Sequence, residues 1–228
     1  MDRRKRIAVY GGTFDPVHFG HLAVARNVLE LFEIDELLFV PARQAPHKVE
    51  REVTKPIHRY AMLVLATQDD TRLVVSTVEL DAPERRYTVE TLTHFKSMFG
   101  ESAELFFVMG ADSWAEISTW REWQKLVRLT NHIVVTRPGY DLESEGEAHG
   151  VSFPIDVRGL KAEQVSKMLD QAGQPHVYIT DAAMVDVSAT DIRAAALAGR
   201  EDELKMMVPA PVADYILKYE IYTKSNEN

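Results

Sequence analysis

Two histidines, His18 and His21, lie three apart in the stretch GGTFDPVHFGH, which follows the short apolar run RIAVY and runs on into a segment with helical spacing. A turn that only reverses direction needs one glycine for its backbone angles and gains nothing from imidazoles at the mouth of a helix. Gly11 and Gly12 allow a ligand close to the backbone, and a helix start aims free N–H groups and the positive end of its dipole at that point. This combination favours phosphate, with imidazole N–H groups as added donors. The spacing is neither the G-x-G-x-x-G dinucleotide fingerprint nor the G-x-x-x-x-G-K-[ST] loop. A zinc site is a poor reading, because there is no H-E-x-x-H arrangement, no cysteine and no evident third ligand nearby. The bland alternatives are a plain tight turn and histidines that cap or pack. A second helix start, VDVSATDIR, offers Ser188, Thr190 and Arg193. Ser188 and Asp191 have the spacing of a capping box, which by itself explains the serine. Two helix starts, two histidines and an arginine in one crevice would suit a polyphosphate.

These residues need elements to bring them together. Apolar runs at Ile7–Tyr10, Leu37–Val40, Leu73–Val78, Leu105–Met109, His132–Thr136 and Val177–Thr180 read as buried strands. Helical segments separate them: Leu22, Ala25, Leu29 and Phe32 share one face, and PIHRYAMLVLATQ opens with a proline that a first helical turn tolerates. Alternation of this kind predicts an α/β fold, a doubly wound, Rossmann-like parallel sheet with helices on both faces. Ligands then sit beyond the carboxyl ends of the strands, where the glycine-bearing and polar turns converge. The chain, 1–228, reads as one domain. The acidic stretch YDLESEGEAHG and an amphipathic segment from Lys161 to Gln171 suggest an inserted loop and accessory helix over 141–175.

At 228 residues and 46% hydrophobic, the chain can bury a large core. A net charge of -9 argues against a general nucleic-acid binder, whose phosphate contacts need a basic face. The basic start MDRRKR is followed by too short an apolar run for a secretory signal, no run has membrane-spanning length, and the lack of cysteine fits a reducing compartment. The expectation is a cytoplasmic protein with no nucleic-acid or membrane partner; homo-oligomer formation stays open.

GGTFDPVHFGH resembles the phosphate-binding signature of the nucleotidyltransferase superfamily with the H-x-G-H motif, and VSATDIR looks like its second signature, I-S-S-T-x-x-R. APHK, RYTVETL, MGADS, STW and RPGY are each similar to segments of the nicotinate mononucleotide adenylyltransferases, in that family's order. The likeness spans roughly residues 6 to 138 and 177 to 220. It implies a direct, in-line reaction of ATP with nicotinate mononucleotide that yields deamido-NAD and pyrophosphate, with Mg²⁺ carried by ATP. By this resemblance His18, His21 and Arg193 are catalytic, and Gly11, Gly12, Thr13, Phe14, Ser188, Thr190 and Arg193 bind ATP. On the acceptor side Lys48 takes the phosphate, Asp112 a ribose hydroxyl and Trp120 the pyridine ring, with Arg137 also lining the site. The N–H groups of Tyr87 and Thr88 receive the nicotinate carboxylate. Ala189 departs from the pattern, where a second serine is usual, and nothing in Asp141–Pro175 matches a motif. Competing readings are a phosphopantetheine adenylyltransferase, a preference for nicotinamide mononucleotide, a class I aminoacyl-tRNA synthetase fragment, which the absence of a K-M-S-K-S-like loop disfavours, and a catalytically silent NAD-metabolite sensor.

Overall fold

The computed structural model describes residues 3–43, 53–82, 86–136, 154–173, 175–181 and 187–223. In chain order the elements are β1 (Lys5–Gly12), α1 (Phe19–Leu31), β2 (Glu36–Pro41), α2 (Pro56–Thr67), β3 (Leu73–Val75), α3 (Thr88–Phe99), β4 (Ala103–Gly110), α4 (Ala111–Ala115), α5 (Trp123–Leu129), β5 (Asn131–Val135), β6 (Ile155–Asp156), α6 (Ala162–Gln171), β7 (Val177–Thr180), α7 (Ala189–Leu197), α8 (Glu201–Met207) and α9 (Ala210–Lys218). Among the described residues, seven strands form one sheet in the order β3-β2-β1-β4-β5-β7-β6. Every pairing is parallel.

Strand side chains alternate between two cores, as a pleat with helices on both faces demands. Ala8, Leu37, Phe39, Phe106 and Val108 face the core under α1, α2 and the helices from α6 onward. Ile7, Val9, Leu38, Val40, Leu105 and Phe107 face the other, under α3, α4 and α5. The expected apolar stripe of α1 is buried at Leu22, Ala25 and Leu29, and Phe32 just beyond its end joins it. Chain order reverses between β1 and β4, so the carboxyl ends of these two strands, at Gly12 and Gly110, flank the switch point where such sheets bind ligands.

Two features differ from the expectation. The third strand ends at Val75 rather than Val78, because the Ser76 hydroxyl accepts the Val78 N–H and turns the chain away after one last bond from Ser76 N–H to the Phe39 carbonyl. A two-residue strand, β6, was not expected; it adds to the sheet edge beside β7 and is too short to leave a sequence pattern. The amphipathic Lys161–Gln171 segment forms α6, which buries Val165 and Leu169. Arg6, sunk in the sheet, reaches Asp170 at 2.9 Å and the Ser166 hydroxyl at 3.1 Å, tying α6 to β1.

Candidate functional site

The turn after β1 is built around one ring. Phe14 adopts a left-handed backbone (φ 49°) and turns its side chain inward, edge-on to Tyr10, Phe39 and His21 at 5.5, 5.4 and 5.0 Å between centroids. A Cβ on Gly12 would lie 2.8 Å from that ring, and one on Gly11 would lie 3.4 Å from Phe107. The glycine at 12 is therefore demanded by the buried ring beneath it as well as by any ligand above. Phe14, expected to line the nucleotide, is instead buried in the core at 2% exposure.

His18 caps α1, and its backbone N–H donates to Nδ1 of His21 at 3.3 Å. With Nδ1 as acceptor, the His21 ring proton sits on Nε2, which makes that atom a donor. The two rings lie 3.8 Å apart. Burial pushes His18 down to about 4, so near neutral pH it is an uncharged imidazole, and its Nδ1 is buried without a hydrogen-bond partner.

Sequence reasoning missed what holds this turn. Arg59, 0% exposed, donates to the carbonyls of Thr13 and Ala42 at 2.7 Å each and of Thr54 at 2.8 Å. It sits on α2 in register with the apolar positions Met62, Leu63 and Ala66. A charged residue on an otherwise apolar stripe was the available signal. Asp15, 3% exposed, accepts from the Tyr222 hydroxyl at 2.8 Å and from the Thr54 N–H at 3.4 Å.

The second expected phosphate segment does meet the first. Arg193 on α7 donates to the Asp15 carbonyl at 2.8 Å and to the Thr190 hydroxyl at 3.0 Å. Ser188 caps α7: its hydroxyl accepts the Asp191 N–H at 3.2 Å and donates to the Asp191 carboxylate at 2.6 Å. Gly11–His21 and Ser188–Arg193 thus form one cluster with two helix starts, those of α1 and α7.

On the other side of the switch point, Asp112 is exposed in the first turn of α4, which follows β4 directly. Trp120 is half-buried, 6.3 Å from Phe107 in an edge contact, and Phe107 is the ring facing Gly11. The Trp120 indole nitrogen is turned inward without a hydrogen-bond partner. Tyr87 and Thr88 open α3, but the Tyr87 N–H donates to Glu90 Oε2 at 3.0 Å, so the chain's own carboxylate takes one of the two donors expected for a ligand. Arg121 stands 4.6 Å over the Tyr87 ring, a cation beside the α3 start that sequence reasoning did not single out. Lys48 and Arg137 lie outside the described residues.

Residues 9–195 match the family model described as cytidylyltransferase-like. A protein named "Probable nicotinate-nucleotide adenylyltransferase" from Thermoanaerobacter sp. (strain X514) is 39% identical over 100% of this chain and 99% of its own length. One of the same name from Symbiobacterium thermophilum is 37% identical, covering 98% of each chain. Among solved structures, the Plasmodium falciparum nicotinic acid mononucleotide adenylyltransferase complexed with NaAD superposes with a TM-score of 0.70 at 21% identity, over 96% of this chain and 97% of that one. At that identity the likeness speaks for the fold.

Proposed function

The chain belongs to the nicotinate-nucleotide adenylyltransferase family, within the cytidylyltransferase-like group, and from that premise we propose that it joins ATP and nicotinate mononucleotide to give deamido-NAD and pyrophosphate. The observation that carries the reading is the meeting of the two phosphate segments, fastened by Arg193 on the Asp15 carbonyl, at the carboxyl end of β1.

The attacking group is a phosphate with a second pKa of about 6, largely ionised at neutral pH, so the transfer needs no general base. It needs two anions held in line and donors for the charge that grows on the α-phosphate and on the departing pyrophosphate. His21 offers a donor at Nε2, His18 an uncharged imidazole at the mouth of α1, and Arg193 a fixed positive charge. Gly11, Gly12 and Thr13 present backbone to the nucleotide, and Ser188 and Thr190 stand at the start of α7 for the β- and γ-phosphates. Among the described residues no group of three His, Asp or Glu side chains converges on a metal position. In this reading Mg²⁺ enters on the ATP oxygens, as part of the substrate.

For the acceptor, Trp120 supplies a ring face, Asp112 a carboxylate for a ribose hydroxyl, and the α3 start, with Thr88 and Arg121, a positive end for the nicotinate carboxylate. Lys48 and Arg137 complete the set from outside the described residues. The reaction is read as cytoplasmic; among the described residues no helix is long and apolar enough to cross a membrane. The test is pyrophosphate release from ATP with nicotinate or nicotinamide mononucleotide side by side. Turnover with the nicotinate form, and slower turnover with the amide, supports the assignment. No release with either overturns it.

A further inference from the structure

The turn that follows α9 packs onto the phosphate segment. After α9, Glu220 and Tyr222 both adopt left-handed backbones, at φ 51° and 69°, with the buried Ile221 between them. Such angles are strained in residues other than glycine and persist where the surroundings over-determine them. Here Ile221 is fixed in the core and the Tyr222 hydroxyl donates to Asp15 Oδ1 at 2.8 Å. Burial and the adjoining carboxylate push the Tyr222 phenol well up, so it remains a donor.

Asp15 is the joint through which this contact acts. Its side chain is almost fully buried, and a carboxylate so placed is tolerated because it is hydrogen-bonded and faces the Arg59 guanidinium. Its carbonyl receives Arg193, and it precedes His18 by three positions in the same turn. We propose that Tyr222 is a positioning residue for adenylyl transfer: by holding the Asp15 carboxylate, it fixes the carbonyl that orients Arg193 and the path of the chain into His18 and His21. The activity readout rests on the function proposed above, whereas the binding readout does not.

The experiment compares wild type with Tyr222→Phe, which keeps the ring and removes the hydroxyl. The expected result is a fall in kcat of about 10-fold, the scale of one hydrogen bond to a charged group, with a raised KM for ATP. The KM for nicotinate mononucleotide stays within about 2-fold, because Trp120 and the α3 start do not touch Tyr222. Calorimetric affinity for α,β-methylene ATP falls by about 5-fold. Adding Tyr222→Phe to Asp15→Asn costs little more than Asp15→Asn alone, since both act through one contact. Wild-type kcat and analogue affinity in folded Tyr222→Phe overturn the proposal, as does an equal rise in both KM values. Should Tyr222→Phe fail to fold, Asp15→Asn replaces it, and the same split between ATP and acceptor is required. If wild type transfers no adenylyl group, the function is wrong, and the analogue affinities alone decide whether Tyr222 orders the phosphate segment.

Discussion

Under the proposed function, His18 and His21 divide one task between two imidazole environments. His21 is held as an Nε2 donor by the His18 N–H, and His18 is kept uncharged by burial. A preorganised donor of this kind is typically worth 10²-fold or more in kcat. His18→Ala and His21→Ala are each expected to lose about that much in pyrophosphate release while keeping the wild-type melting temperature to within a few degrees. Full turnover in either folded variant would remove that histidine from the mechanism. The acceptor side poses a different question. Nicotinate and nicotinamide differ in a carboxylate against an amide, so preference must come from a group that rewards negative charge. Glu90 occupies the Tyr87 N–H and is itself anionic, which leaves two described cations at the α3 start, Arg86 beside Tyr87 in the chain and Arg121 stacked on the Tyr87 ring. Arg121→Ala should cut the ratio of kcat/KM for the nicotinate over the nicotinamide form by about 3- to 10-fold, the scale of a half-exposed charge, with KM for ATP unchanged. An unaltered ratio would assign the preference to the backbone donors, to Arg86 and to residues outside the described set.

At the scale of elements, what was legible in the sequence were features with their own period or their own chemistry. Buried parallel strands are short apolar runs, and α1 shows its stripe at Leu22, Ala25 and Leu29, so the order of strands and helices could be read directly. The glycine–histidine turn and Ser188–Arg193 could be found because each pairs unusual residues with a helix start. What could not be read were partnerships made across the fold. Arg59 looks like one more charge in a helix until its register with Met62 and Leu63 is noticed, and nothing near Tyr222 hints at Asp15. The Tyr87 N–H is taken within the chain for a local reason: Glu90 has the capping-box spacing to reach back to it. Gly12 illustrates how packing demands a glycine in a turn where the sequence suggested a ligand. Its missing Cβ leaves room for the Phe14 ring, whose nearest atoms would stand at 2.8, 3.0 and 3.1 Å, and that ring is wedged among Tyr10, Phe39 and His21. Gly12→Ala should therefore destabilise the fold by about 1–3 kcal/mol, as overpacking does, and lower the melting temperature measurably before any effect on nucleotide is considered. An unchanged melting temperature would show that Phe14 can withdraw without cost and that the glycine serves the ligand alone.

For the molecule as a whole, His18 and His132 have displaced protonation and shape the response to acid. Burial lowers both His18 and His132 from 6.5 to about 4, His132 in the core behind Trp114 and Phe107 and His18 at the phosphate turn. Between those values the unfolded chain binds protons that the folded chain refuses, so stability increases with pH across that window. The contribution is complete above about pH 6.5 and is lost as pH falls toward 4; for the pair it is on the order of a few kcal/mol. Asp35, Asp70 and Asp156 act lower down. Each is held below its usual value of 3.8, chiefly by hydrogen bonds from Arg3, Arg72 and Arg158, so their loss begins only where the histidine effect is ending. Denaturant unfolding at a series of pH values should then show stability declining from pH 6.5, with a slope near pH 5 that approaches two protons. His132→Leu should remove one proton from that slope whatever its effect on absolute stability. Saturating ATP should remove part of the other, because phosphate oxygens beside His18 favour its charged form and raise its pKa in the complex. A slope that ignores ATP while responding to His132→Leu would place the triphosphate away from His18, and with it the site of adenylyl transfer.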